Sequence, residues 1–274
     1  MITQEAFASE LEQAIQQNHI TLPTLPEVAL RVRDAVERDD ATAAKIAEMV
    51  TTDAALSARL LQVANSPLYR GRVPIESVQM AVTRLGNKLV RSLVVSLAMK
   101  QIFQATSDTL DRRLRALWEE SVQIAAISRV LVQTLPHLDR EQAMLAGLIH
   151  NIGSLPILTM AESYPELLSN PQQLDSYVKA LNPRIGGMIL RTWGFSDNLV
   201  KVAEHYRDYD YDSGDRADYV DVVQVARLQT LGDDGIGDWS TIPAFRKLGL
   251  EPEVEVIEIE GVAEDVDEMK AIFL

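Results

Sequence analysis

The 274-residue sequence predicts an all-α protein. Three observations carry that prediction. Apolar residues recur at spacings of three and four along nearly the whole chain, the period of one helix face. Prolines, glycines and Ser/Thr/Asp residues stand where such segments need breaks and caps. The one run that alternates as a strand would is Val254-Glu255-Val256-Ile257-Glu258-Ile259.

Taken in order, Ala6, Leu11, Ala14 and Ile15 mark a first helix. Pro23 and Pro26 stop it, and Pro26 suits the first turn of the next, which carries Val28, Val32, Ala35 and Val36. Thr42 is an N-cap for Ala43–Val50, and Asp53 for a helix bearing Leu56, Leu60, Leu61 and Ala64. The break Asn65-Ser66-Pro67-Leu68-Tyr69 follows. Pro74 and Ser77 open Val78–Leu85, which Gly86 closes, and Leu89–Ile102 forms a long apolar helix. The second part reads the same way. Leu114–Leu135 ends at Pro136, and Glu141–Ile149 ends near Gly153 and Pro156. Shorter segments follow at Pro165–Ser169, Leu174–Leu181, Ile185–Trp193 and Asp197–Tyr206, then Asp218–Leu231. Val262, Val266, Met269 and Phe273 predict a last helix. A polar seam at Gln104–Asp111 divides the chain into two packed halves, 1–105 and 106–235, with an acidic extension at 236–274.

With 47% hydrophobic residues, a chain this long can bury roughly 70–75% of its unfolded surface. There is no cysteine, so disulfides and thiolate metal sites are excluded, which suits a reducing cytoplasm. The N-terminus lacks a signal-peptide pattern, and runs such as Leu93-Val94-Val95 fall far short of the roughly 18 apolar residues of a membrane span. The expectation is a cytoplasmic protein with no membrane contact. Net charge is −14, and from Glu204 onward 19 acidic residues face 6 basic ones. Such a surface repels phosphate backbones, which disfavours nucleic acid as a partner.

One stretch stands apart: Leu145-Ala146-Gly147-Leu148-Ile149-His150-Asn151-Ile152-Gly153-Ser154-Leu155. It reads like the His-Asp signature of metal-dependent phosphohydrolases with the acid replaced by an amide. An Asp at 151 would be a hard anionic ligand, whereas Asn151 is neutral and poorer. Two groups of segments together resemble the HDOD family, HD-related output domains of bacterial signalling proteins. The first is Leu22-Pro23-Thr24-Leu25-Pro26-Glu27-Val28 with Asp53–Tyr69, including Ala64-Asn65-Ser66, then Leu85-Gly86. The second is His150-Asn151-Ile152-Gly153 with Gly186-Gly187, Trp193-Gly194-Phe195 and His205. The resemblance spans roughly residues 20–230. It implies an HD-like helical bundle packed against an N-terminal helical bundle, and a regulatory module without demonstrated catalysis.

An HD hydrolase gathers His, His-Asp and a later Asp around cations that acidify a bound water. By this resemblance, the first His position holds Glu120, the pair is His150-Asn151, a further His position falls near Asn182, and the last Asp position holds Arg227. A guanidinium there repels a metal ion. The sequence therefore implies no metal and no cofactor, with Glu120, His150, Asn151, His205 and Arg227 as remnants. Glu120, His150 and His205 are the only set left for an improvised site. Otherwise His150 is a buried helix residue bonded to neighbours such as Glu120 or Asn151.

Asp208-Tyr209-Asp210-Tyr211-Asp212-Ser213-Gly214 fails as a calcium loop, because Ser213 and Tyr219 stand where Gly and Glu are needed. It reads as a solvated acidic loop. Arg84, Lys88 and Arg91 form a small basic stripe, but the apolar face of their helix suits core packing better than a DNA groove. Asn65, Ser66, Tyr69 and Arg70 form a polar knot that suits a contact between the halves. The sequence thus favours a non-catalytic signalling module acting through contacts with other, unidentified signalling proteins, and leaves a homo-oligomer open. The alternatives are a divergent HD-type phosphohydrolase and a nucleic-acid-binding regulator.

Overall fold

Three of the caps read from sequence are made as expected. Thr42, Asp53 and Ser77 each accept a hydrogen bond from the backbone N–H three residues on. The computed structural model describes residues 2–17, 19–20, 22–37, 42–69, 71–103, 108–232, 237–252, 256 and 262–274. Among these residues the secondary structure is helical, with no strand.

The first part comprises α1 (Gln4–Gln16), α2 (Glu27–Glu37), α3 (Ala43–Thr51), α4 (Ala54–Ala64), α5 (Val78–Leu85) and α6 (Asn87–Ile102). The apolar α6 is the axis on which α2, α3, α4 and α5 pack. Its buried face runs through Val90, Leu93, Val94, Leu97 and Ala98. The second part comprises α7 (Asp108–Leu131), α8 (Arg140–Ile149), α9 (Ser154–Ala161), α10 (Pro165–Leu168), α11 (Pro171–Thr192), α12 (Asp197–His205) and α13 (Tyr219–Leu231). Then come α14 (Pro243–Leu248) and α15 (Val262–Phe273). The pair α7–α8 is the centre of this part. α13 and α15 lie on α7, α11 joins α9 to α12, and α6 packs on α8. One apolar core runs through both parts.

Several expectations need correction. The range 1–105 is not one packing unit, because α1 lies against the second part. Phe7 meets the rings of Tyr164 and Tyr177, and the Tyr177 hydroxyl donates to Ile2 O at 2.7 Å. The acidic extension after residue 236 packs with the second part: the last helix predicted from Val262, Val266, Met269 and Phe273 buries those residues on α7, and Trp118 Nε1 donates to Phe273 O at 3.0 Å. Residues 104–107 of the seam lie outside the described residues. So do Val254, Glu255, Ile257, Glu258 and Ile259 of the alternating run; only its Val256 is described, and it is buried.

Two segments that read as separate are joined. Leu174–Leu181 and Ile185–Trp193 are one helix, α11, that passes through Pro183. An internal proline costs about 3 kcal/mol, but Leu174, Tyr177, Ile185, Ile189 and Leu190 bury one continuous face across it. Pro156 does not end a helix either. It lies in the first turn of α9, where a missing N–H leaves no bond unmade. The apolar stretch is consequently longer than it read. Within Arg140–Ala161 an 18-residue window has mean hydropathy 1.4, but the stretch bends at His150–Gly153 and 94% of that window is buried in the core.

Candidate functional site

The His-Asn turn is positioned by glycines. Asp139 caps α8 by accepting from the N–H groups of Glu141 and Gln142 at 3.0 and 2.9 Å. From Ala143 to Ile149 every residue of α8 is buried. A Cβ on Gly147 would lie 2.5 Å from Ala125 Cα of α7, so only glycine allows this approach. A Cβ on Gly153 would lie 2.3 Å from Asn182 O of α11. The two close contacts wedge the turn between α7 and α11.

His150 is fully buried there. Its Nδ1 lies 2.7 Å from Gly147 O, so the proton is assigned to Nδ1 and Nε2 carries the lone pair. Nε2 has no hydrogen-bond partner. The edge of the imidazole meets the Tyr206 ring at 4.9 Å and 74°. Burial pushes the His150 pKa down to about 3; the Gly147 carbonyl opposes this, and Arg227 and Arg207 add to it. The ring is neutral at pH 7. Its bond to Gly147 replaces the expected one to Glu120 or Asn151.

Asn151 is 3% exposed, its Nδ2 is 3.5 Å from Leu117 O, and its Oδ1 is unpartnered. Glu120, half-buried on α7, is close enough for its charge to act on Tyr206. Asn182 donates through Nδ2 to Ser154 Oγ at 3.0 Å and to the Tyr206 hydroxyl at 2.8 Å. Arg207 Nε approaches the same hydroxyl at 3.3 Å. Above the Tyr206 ring stand the guanidinium carbons of Arg207 at 5.5 Å and Arg227 at 6.0 Å. Arg227 is buried and donates to the Tyr209 hydroxyl at 2.6 Å.

His205 faces elsewhere. Its Nδ1 meets Asp208 Oδ2 at 3.1 Å and its ring packs on Tyr211 at 4.9 Å. None of the described contacts brings it to His150. Among the described residues no group of three His, Asp or Glu side chains is placed to hold a metal. A divalent cation at His150 Nε2 and Asn151 Oδ1 would gain two neutral donors and meet two guanidinium charges. That donor set does not fit a metal ion.

Sequence reasoning missed Tyr206, Arg207 and Gln224. Gln224 Nε2 donates to His205 O at 2.9 Å and Asp208 O at 2.7 Å, fixing the turn that carries Tyr206 and Arg207. The signal lay in the sequence: a glutamine inside an otherwise apolar helix face, three residues before Arg227.

The polar knot divides. Asn65 closes its own loop, donating to Leu61 O and Ile75 O and accepting from Ile75 N at 2.8 Å. Ser66 Oγ is buried without a partner. Tyr69 crosses to the second part, donating to Glu141 Oε2 at 2.8 Å. Arg70 lies outside the described residues. In the basic stripe, Arg84 donates to Val73 O, and Arg91 stands 3.7 Å from Glu37.

The acidic loop is more than solvated surface. Lys247 of α14 has no exposed side-chain area and reaches Asp212 at 2.9 Å and Asp221 at 3.2 Å. Burial lowers the Lys247 pKa, but the two carboxylates outweigh it and the net direction is upward.

Comparisons with known proteins agree with this fold. The sequence profile of the HDOD domain matches residues 22–209. A solved structure of a candidate metal-dependent phosphohydrolase from Shewanella amazonensis SB2B is 32% identical, with TM-score 0.85 over 99% of each chain. An HDOD domain protein of unknown function from Geobacter sulfurreducens shares the fold at 20% identity and TM-score 0.70, over 99% of this chain and 100% of that one. An uncharacterised protein of Treponema pallidum (strain Nichols) is 21% identical over 252 residues. The match covers 86% of this chain and 47% of that protein, so the chain spans about half the length of that relative.

Proposed function

The chain belongs to the HDOD family, and from that premise we propose that it is a non-catalytic signal-transduction module acting through contacts with other proteins. The observation that carries this reading is the pair Arg207 and Arg227 over Tyr206, beside His150. An HD-type hydrolase needs divalent cations in such a pocket to acidify water and hold phosphate. Here two guanidinium charges and a neutral imidazole surround Tyr206 instead, with the half-buried Glu120 carboxylate close enough to act on it. The pocket works as a structural joint of α8, α11, α12 and α13, and Tyr206 is its centrepiece.

A second reading is a divergent phosphohydrolase. It is favoured by the description of the 32% identical Shewanella amazonensis protein as a candidate metal-dependent phosphohydrolase. It would need Glu120, His150 and His205 to converge, whereas His205 is engaged with Asp208 and Tyr211. Metal analysis of the purified chain, with assays on cyclic dinucleotides and phosphomonoesters, separates the two. The signalling reading expects no stoichiometric metal and no turnover. Bound metal, with turnover abolished by His150→Ala, would replace it with the hydrolase.

A further inference from the structure

The last helix, α15, lies outside the stretch 22–209 that matches the HDOD profile. It packs on α7, the helix whose Ala125 meets Gly147 beside the His-Asn turn. Of its twelve residues four are buried, Val262, Val266, Met269 and Phe273, at spacings of four, three and four. Trp118 Nε1 holds one end through Phe273 O at 3.0 Å, and Gln133 Nε2 holds the other through Asp265 Oδ2 at 3.3 Å. Between those two contacts, at helical spacing along α7, stand Val122, Ala126 and Val130, all buried. They form an apolar track from Trp118 to Gln133.

The fastening of α15 to this track is light. To the two bonds above is added one from Lys100 Nζ to Leu274 O at 2.5 Å, where a cation suits a helix C-terminus. Among the described residues Glu264, Asp267, Glu268 and Lys270 make no ion pair with the rest of the protein. α13 is the contrast: every residue from Tyr219 to Leu228 is buried, and it packs on α7, α8, α12 and α14. A helix of twelve residues does not hold its form in water by itself, so α15 is ordered by the surface beneath it. Releasing it returns the conformational entropy of one short segment and uncovers one apolar strip, whereas releasing α13 dismantles the core.

We propose that this track on α7 is a docking surface for an amphipathic helix of a partner protein, and that α15 occupies it in the free chain. The partner it fits is a helix with apolar residues at spacings of four, three and four, its C-terminal carbonyls turned to Trp118 and Lys100. Binding is then coupled to release of α15, which makes the helix an internal competitor. As the means by which a signalling module touches its partner, this rests on the signalling reading. Turnover with bound metal would sink that reading and leave the results below standing.

The test begins with amide hydrogen exchange on the full parent chain. The amides of α15 should exchange about a hundredfold or more faster than those of α13. Equal protection of the two helices would overturn the proposal, because α15 would then open only with the whole fold. The second arm uses a labelled peptide of residues 262–274 as the partner helix. Met269 is buried, so Met269→Asp in the full chain weakens the hold of its own α15. That variant should bind the peptide saturably, about tenfold or more tighter than the parent chain, whose α15 competes at high effective concentration. A peptide carrying the same change should not bind. Absence of saturable binding to the Met269→Asp chain would overturn the proposal, as would equal affinity for the two chains or for the two peptides. So would loss of α13 protection in the variant, which would make α15 part of the cooperative core.

Discussion

The Tyr69 hydroxyl donates a 2.8 Å hydrogen bond to Glu141 Oε2, tying the loop after α4 to the first turn of α8. Arg129 of α7 completes the contact, with Nε 3.2 Å from Glu141 Oε1 and its guanidinium carbon 5.4 Å from the Tyr69 ring centre. Burial, with Glu141 beside it, pushes the Tyr69 pKa upward, so the phenol stays protonated and remains a donor. Tyr69→Phe should cost about 1.5 kcal/mol in urea unfolding, the usual worth of a bond to a charged acceptor. An unchanged midpoint would show that the bond adds nothing to the joint between the parts.

His150 makes stability depend on acid. Its pKa is about 3 in the folded chain and about 6.5 when unfolded, so between those values only the unfolded chain takes up its proton. Stability should therefore fall as the pH drops below about 6.5, by at most roughly 1.4 kcal/mol per pH unit from this residue. Above that pH the residue adds no slope. In His150→Leu the slope between pH 6.5 and 4.5 should be shallower; equal slopes would show that the ring is not held neutral.

Gly147→Ala should destabilise strongly. The new Cβ would lie 2.5 Å from Ala125 Cα and 2.7 Å from Ala125 N, both backbone atoms that cannot swing away. Overpacking of this kind costs roughly 1–3 kcal/mol or more, although alanine otherwise favours helix over glycine. A more stable variant would mean that α7 and α8 can part without loss.

Lys247→Ala should cost about 3–5 kcal/mol, because it strips a buried carboxylate of its cation. Asp221 has no exposed side-chain area, and burial pushes its pKa up against the opposing pull of the Asp218 N–H and Lys247. Asp212→Asn should lose much less, since that carboxylate is about half exposed. Equal thermal shifts for the two variants would place the weight of the contact on the loop.

Much of the fold was legible because local rules act without tertiary help. Thr42, Asp53 and Ser77 cap because their oxygens reach an N–H three residues on, whatever surrounds them. Leu174–Leu181 and Ile185–Trp193 read as separate segments because the buried face they share runs across Pro183, whose local cost it offsets. Pro156 misled for a different reason: a proline in a first helical turn and a proline after a helix look alike in a sequence. α14, six residues long with Pro243 at its start, offered too few periodic positions to be seen.

The site was half legible. The positions His150, Asn182 and Arg227 came from a motif, and they converge through Tyr206, which no motif named. His205 looked like part of the set because of its position in the motif. The turn after α12 sends its ring to Asp208 and Tyr211 instead.

The sequence by itself determined that this is an all-helical chain of the HDOD type, because helical period, caps and family motifs are local or linear properties. Only the tertiary structure decided that His150 bonds to Gly147, that α1 belongs with α9 and α11, and that Lys247 holds Asp212 and Asp221. Each of those depends on which side chains meet across helices, and on how burial changes their charge. Neither is written in spacing along the chain.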